Sequence, residues 1–251
     1  MAYSLCGKIA LLTGGAQRIG REIALALADA GCGVIVHYHH SADEAETLCA
    51  EIRSRDVAAW SIVADFANPD EYETLFERAL ALGGPIEILL NNASMFPKDT
   101  LDSMSFAHWQ LNLQVNAWVP FLLGRELHHR VGHGKIINLL DANLKGYDWK
   151  HVSYMLSKQS LELLTRMMAI HFAPLVSVNA VAPGLILPPP GGSIDYLERM
   201  KDTVPLKAHG DPRGIAEAIL FLLQSEYITG ETIYVDGGRH LQEYISGSHS
   251  H

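Results

Sequence analysis

Residues 8–20 read Lys8-Ile-Ala-Leu-Leu-Thr-Gly-Gly-Ala-Gln-Arg-Ile-Gly20. An apolar strand pattern runs without a spacer into a glycine-bearing turn, and the turn opens a helical pattern over 17–30 that Gly31 closes. Glycine there lets the backbone approach a phosphate, and the helix N-terminus offers unpaired N–H groups and the positive end of its dipole. A strand, a glycine turn and a helix in that order begin a βαβ unit, and the rest of the chain repeats the alternation. Strand patterns fall at 33–38, 58–64, 86–91, 135–140, 176–181 and 232–235, and helical patterns at 43–54, 70–82, 106–129, 154–172 and 212–224. Strands separated by helices pair in parallel, because a tight turn cannot join parallel neighbours. Several strands are apolar on both faces, as they must be when helices cover both sides of a sheet.

The expected fold class is therefore α/β, a single-domain Rossmann-type doubly wound parallel sheet of about seven strands with helices on both faces. The domain is expected to span 1–241, with 242–251 a flexible tail. The Pro/Gly-rich stretch 187–193 reads as a loop inside the domain rather than a boundary.

Composition narrows the function. The 251 residues carry 19 Lys+Arg against 28 Asp+Glu, a formal charge of −9, with no long basic run. That balance argues against a nucleic-acid binder, which needs cations to displace counterions. No apolar stretch approaches the roughly 18–20 residues of a membrane span. The first residues lack a basic segment followed by an apolar one, so no secretion signal is read and a cytoplasmic protein is expected. Cys6, Cys32 and Cys49 are an odd number without C-x-x-C spacing, which points to neither a disulfide framework nor a zinc site. His37 and His39 share a strand face, but no further ligands accompany them, and no metal is expected.

A site that binds NAD in this fold usually carries an acid after the second strand, to hold the adenosine 2′-hydroxyl. Here that strand ends His37-Tyr-His-His-Ser41. A carboxylate would repel a 2′-phosphate, whereas His40 and Ser41 can donate to one, so NADP(H) is the expected cofactor. Further along, Tyr154-Met-Leu-Ser-Lys158 places a phenol and an ammonium on one helix face. A nearby cation favours phenolate and makes the tyrosine a better proton donor and acceptor. The pair follows a strand whose next residue is Asp141.

Thr13-Gly14…Gly20, Asp65, Asn91-Asn92-Ala93, Asn116, Tyr154/Lys158 and Pro183-Gly184 occur in an order and spacing that resemble the short-chain dehydrogenases/reductases over nearly the whole chain. The resemblance implies hydride transfer between a nicotinamide and a substrate. Tyr154 would take the proton step, and Lys158 would hold the nicotinamide ribose and tune the tyrosine. Asn116 would support a proton-relay water, although a polar residue satisfied inside its helices reads the same way. Cofactor contacts are implied at Gly14, Arg18, Ile19, Gly20, His37, Tyr38, His39, His40, Ser41, Asp65, Phe66, Asn92, Ala93, Ser94, Tyr154, Lys158, Pro183 and Gly184.

Three positions depart from the common family pattern. Arg18 and Ser94 stand where glycine is usual, and Asp141 stands where a carbonyl-binding serine is usual. With His37-Tyr38-His39, Ser41, Phe96 and the ending Asp236-Gly-Gly-Arg-His-Leu241, they resemble the pteridine reductase branch. That branch implies a substrate site of Arg18, Ser94, Phe96, Asp141, Tyr154 and Leu185, with catalysis by Asp141, Tyr154, Lys158 and Asn116. A pterin is flat and can stack on an aromatic ring such as Phe96. Reducing its C=N bond needs a proton on nitrogen, which an aspartate–tyrosine pair can route. Taken singly, Asp141 could merely cap the following turn and Phe96 could be core. His40 replaces the branch's frequent arginine, so preference for NADPH is expected to be weaker, or to sharpen as pH falls and His40 protonates.

The expected function is NADPH-dependent reduction of dihydropterins (dihydrobiopterin or dihydromonapterin), with dihydrofolate a further substrate. The alternatives are a carbonyl reductase acting on a 3-oxoacyl thioester, and a non-catalytic dinucleotide sensor. The resemblance also implies a homotetramer built on helices 106–129 and 154–172, with Met167, Met168 and Phe172 available either to that contact or to the core.

Overall fold

The computed structural model describes residues 3–189, 191–242 and 245–246. Seven parallel strands form the sheet: β1 (Ile9–Thr13), β2 (Gly33–Tyr38), β3 (Ala59–Val63), β4 (Ile88–Asn91), β5 (Gly134–Leu139), β7 (Val176–Pro183) and β8 (Thr232–Val235). Their order is β3-β2-β1-β4-β5-β7-β8. The chain thus winds outward from β1 in one direction and then returns to continue from β4 in the other. The switch lies between β1 and β4, where Thr13 pairs with Asn91 at the C-terminal ends. Connections leave a crevice at that point, and ligands of open α/β sheets bind there.

Period-2 alternation divides the strands between two cores. Leu12, Val34 and Val36 face α1 (Arg18–Asp29), α2 (Ala42–Arg53) and α8 (Pro212–Gln224), packing with Ile23, Leu27 and Ile219. Leu11, Ile35 and Leu89 face the other way, against Phe76 of α3 (Pro69–Gly83), Leu123 of α5 (Val119–Arg130) and Met168 of α6 (Val152–His171). Each such side chain taken out of water contributes about 1.5–3 kcal/mol. Cys32 and Cys49 lie in the first core, where burial pushes their thiols up to about 12 and about 11. Among the described residues no helix is long and apolar enough to cross a membrane, and no group of three metal-ligating side chains forms.

Where helices begin, local chemistry decides. Asn68 accepts from the Asp70 N–H and Asp211 from the Arg213 N–H, each followed by proline at the first helical position. The helical pattern over 106–129 is not continuous. It comprises α4 (Phe106–Leu113), a π turn (Gln114–Trp118) and α5. Pro120 has no N–H to give the carbonyl of Asn116, four residues earlier, so an unbroken α-helix cannot form there. The turn aims Gln114 at the carbonyls of Phe66 and Ala67 (2.9 and 3.2 Å). A short α7 (Ile194–Met200) follows the 187–193 loop, which sequence periodicity does not mark. The expected loose tail contains a short pairing instead: β9 (Ile245–Ser246) runs parallel to β6 (Tyr147–Asp148). The tail's residues 243–244 and 247–251 lie outside those described.

Candidate active site

At the switch point the glycine turn is held from three sides. Gly14 adopts φ +61, and its N–H donates to Nδ1 of His37 at 3.1 Å. The Asn92 amide donates to the Thr13 and Gly14 carbonyls (3.0 and 2.8 Å), and the Thr13 hydroxyl accepts from the N–H groups of Asn92 and Ala93. A Cβ on Gly14 would lie 2.8 Å from the Ala93 Cα, and one on Gly20 would lie 2.3 Å from the Gly14 carbonyl oxygen. The backbone is therefore packed on itself at the head of α1, with the helix N-terminus open. A cleft of about 440 Å³ sits over it, lined by Gly14, Arg18, Ile19, Gly20, Tyr38, His39, His40, Ser41, Asn92, Ala93 and Ser94, among others. Among the described residues no carboxylate lines that cleft. Asp65 and Phe66 border an adjoining cavity of about 270 Å³ with His39 and Ala93. Glycine backbone, a helix N-terminus and the donors of His40 and Ser41 fit a dinucleotide carrying a 2′-phosphate, with Asp65 held 3.6 Å from His39 at the cleft's side.

His37, expected as a cofactor contact, lines the cleft and also buttresses the glycine turn. Its ring edges the cleft floor but is 2% exposed, stacks on Phe66 at 4.5 Å, and has both nitrogens occupied. Because Nδ1 accepts from Gly14, the proton sits on Nε2, which donates to the Ala64 carbonyl at 3.0 Å. Burial lowers its pKa from 6.5 to about 4. A folded-state value below the unfolded one contributes stability above pH 6.5 that is lost as pH falls through about 4. Two and a half units correspond to about 3 kcal/mol. A His37→Gln variant, with no group titrating there, should show a flatter fall in Tm between pH 7 and 4; identical slopes would remove His37 from the account.

The chemistry-bearing groups meet at the ends of β4 and β5. Asp141 uses its two oxygens differently: Oδ1 caps the next turn by accepting from the Asn143 N–H (2.7 Å), and Oδ2 accepts from the Tyr154 hydroxyl (2.8 Å). One carboxylate oxygen thus caps the following turn while the other faces the phenol. Burial raises its pKa, against the lowering effects of the Asn143 and Tyr154 bonds and the Lys158 and Arg239 charges. Tyr154 is held well above its ordinary value, by burial first and by Asp141 second. Burial lowers Lys158 to about 8, and its ammonium donates to the Leu139 carbonyl at 2.7 Å, with Nζ 5.9 Å from the Tyr154 ring centroid. Phe96 is not core: it is 54% exposed and meets the Tyr154 ring edge-on at 4.5 Å.

The Asn116 side chain is satisfied within the protein. Its oxygen accepts from the Met95 N–H, and its amide donates to the Met95 carbonyl and the Ser157 hydroxyl. Its backbone carbonyl lies in the π turn, where Pro120 cannot give it the usual α-helical donor.

A profile described as enoyl-(acyl carrier protein) reductase matches residues 14–240. A 3-oxoacyl-[acyl-carrier-protein] reductase FabG of Staphylococcus epidermidis is 32% identical over 242 residues, covering 93% of this chain and 99% of that protein. The chain belongs to the short-chain dehydrogenase/reductase family. A 3-oxoacyl-[acyl-carrier-protein] reductase of Synechocystis is similar at 33% identity, over 94% of this chain and 98% of that one. Among solved structures, the FolM alternative dihydrofolate reductase 1 of Brucella canis, complexed with NADP, superposes with a TM-score of 0.89 at 31% identity, over 96% of this chain and 97% of that one.

Some expected positions in this short-chain reductase lie outside the nucleotide cleft. Leu185 is buried with Leu197 and Val204, and it borders a separate cavity of about 580 Å³ near Pro205 and His240. Pro183 and Gly184 do not line the nucleotide cleft; Gly184 packs on Asp236, whose Cβ would lie 2.5 Å from a Cβ added there. Arg18 sits at φ +55 and its guanidinium donates to the Pro188 carbonyl at 2.7 Å, linking the cleft to the 187–193 loop. Sequence reasoning missed His151, which stacks on Phe96, and the Thr13 hydroxyl that joins β1 to the residues after β4. Thr13 had a signal in its place at the strand end; His151 had none.

Proposed function

We propose that this protein reduces dihydropterins with NADPH. The observation that carries the reading is the Tyr154 hydroxyl on Oδ2 of a half-buried Asp141, whose pKa desolvation raises, where a carbonyl reductase presents a hydroxyl to an oxygen. When bound, the cofactor supplies hydride; the chain supplies everything else. Gly14, Gly20 and the N-terminus of α1 would hold the pyrophosphate, His39, His40 and Ser41 the 2′-phosphate, Asp65 and Phe66 the adenine end, and Lys158 the nicotinamide ribose. Arg18 and Ser94 would bond the pterin's polar edge and Phe96 would cover its face. Asp141 and Tyr154 would hold a proton between them where the ring nitrogen gains one. The Brucella structure's similarity supports the reading.

The second reading, reduction of a 3-oxoacyl thioester, is favoured by the Staphylococcus and Synechocystis relatives. A homotetramer is part of the proposal. Trp118, Leu163, Met167 and Ile170 are 45–82% exposed along the π turn and α6, whereas Met168 and Phe172 belong to the core. The deciding assay follows NADPH oxidation with dihydrobiopterin, dihydromonapterin and dihydrofolate beside an acetoacetyl thioester. Pterin turnover is expected; thioester turnover alone would replace the first reading with the second.

A further inference from the structure

Phe96 stands on a segment that is tied down at both ends. On one side Met95 is bonded through both backbone groups to the Asn116 amide. On the other, Asp99 exchanges backbone bonds with Lys150 and Val152, and its buried carboxylate accepts from the Ser153 N–H at 3.0 Å and from the Ser153 hydroxyl. The backbone is therefore fixed, and what remains to be fixed is the plane of a half-exposed ring. His151 does that. Its imidazole lies on one face of Phe96, with centroids 3.8 Å apart and planes 16° apart. The imidazole is itself oriented by Asp148, whose Oδ2 lies 2.8 Å from its Nδ1 while Oδ1 accepts from the Lys150 N–H. Both members of this pair are nearly out of solvent, with side chains 13% and 9% exposed. His151 covers one face of the phenyl ring and Tyr154 lies perpendicular to it with centroids 4.5 Å apart, while the ring remains 54% exposed.

We propose that His151, anchored on Asp148, is a positioning residue that sets the plane of Phe96 and thereby selects flat heteroaromatic substrates over flexible acyl chains. The inference rests on the pterin reading above and adds to it the residue that makes Phe96 a platform. A ring free to turn about its side-chain torsions offers a stacking face only part of the time, so its loss of order appears in substrate binding. A flexible acyl thioester gains nothing from a fixed plane and should not sense the change.

The test compares wild type with His151→Ala, His151→Phe and Asp148→Asn on dihydrobiopterin and on an acetoacetyl thioester, with NADPH affinity by fluorescence titration as the check on folding. His151→Ala should raise the dihydrobiopterin KM about three- to tenfold, the worth of an aromatic pair, with kcat and NADPH affinity unchanged within about twofold. His151→Phe, which keeps a ring on Phe96 without the Asp148 bond, should recover most of that loss, and Asp148→Asn should fall between. An unchanged pterin KM in His151→Ala overturns the proposal while leaving pterin reduction standing. So does an equal rise for the thioester or a parallel loss of NADPH binding, since either marks general loosening. A wild type inactive on every pterin removes the underlying reading itself, and the proposal with it.

Discussion

Replacing Tyr154 with phenylalanine is expected to lower kcat on a dihydropterin by about 10²–10⁴, the usual worth of a positioned proton donor, and to leave NADPH affinity within about twofold. The substitution removes one oxygen from a buried side chain and keeps the ring that meets Phe96 edge-on. It also removes the bond to Asp141 Oδ2 that lowers that carboxyl's pKa, so Asp141 should hold its proton more tightly in the variant. The proton then remains in the site without the phenol that hands it on. Stopped-flow NADPH oxidation in a single turnover, beside a fluorescence titration of the nucleotide, separates the two effects. A loss below tenfold would take Tyr154 out of the proton path. Intact nucleotide binding with no turnover even in the wild type would instead fit the dinucleotide sensor.

The sequence made the layers of this fold readable because each strand is short, apolar and bounded by glycine or by a helix start, and because parallel pairing leaves one way to connect them. Pro120 marks the break at the π turn inside 106–129, a stretch that periodicity alone reads as one helix. The split between Met167 and Met168 follows from helical period: Leu163, Met167 and Ile170 share the exposed face of α6, while Leu161, Thr165 and Met168 share the buried one. The buttressing role of His37 was not legible, because a histidine among strand residues carries no local mark of which nitrogen meets what. Its role depends on Gly14, 23 positions away, and on Ala64, 27 positions away. The burial of Leu185 was not legible, because α7 and the Val204 turn that cover it have no strong period. The Phe96 platform depends on a residue, His151, that becomes its neighbour only when the segment after β4 docks on the N-terminus of α6.

Asp141→Ser should lower kcat/KM on a dihydropterin at least about 100-fold and raise turnover of an acetoacetyl thioester. A carboxyl in this place can carry a proton that a serine hydroxyl does not release or accept near neutrality, whereas serine can donate a hydrogen bond to a carbonyl oxygen without bringing a buried charge. The pH dependence gives the same residue a second, independent signature. Burial raises Asp141 above the ordinary carboxylate value of 3.8, so the proton-bearing form persists to higher pH than for an exposed aspartate. It is lost as pH rises through the shifted value. Pterin turnover by the wild type should therefore be highest on the acidic side and decline with rising pH. In Asp141→Ser that decline should vanish from the residual activity, because nothing at position 141 titrates. A separate limb from Lys158, which burial lowers to about 8, should remain in both proteins. If the acidic-side decline survives in Asp141→Ser, another group controls it. If pterin turnover survives at wild-type rate, the proton reaches the ring nitrogen by a route that does not include Asp141.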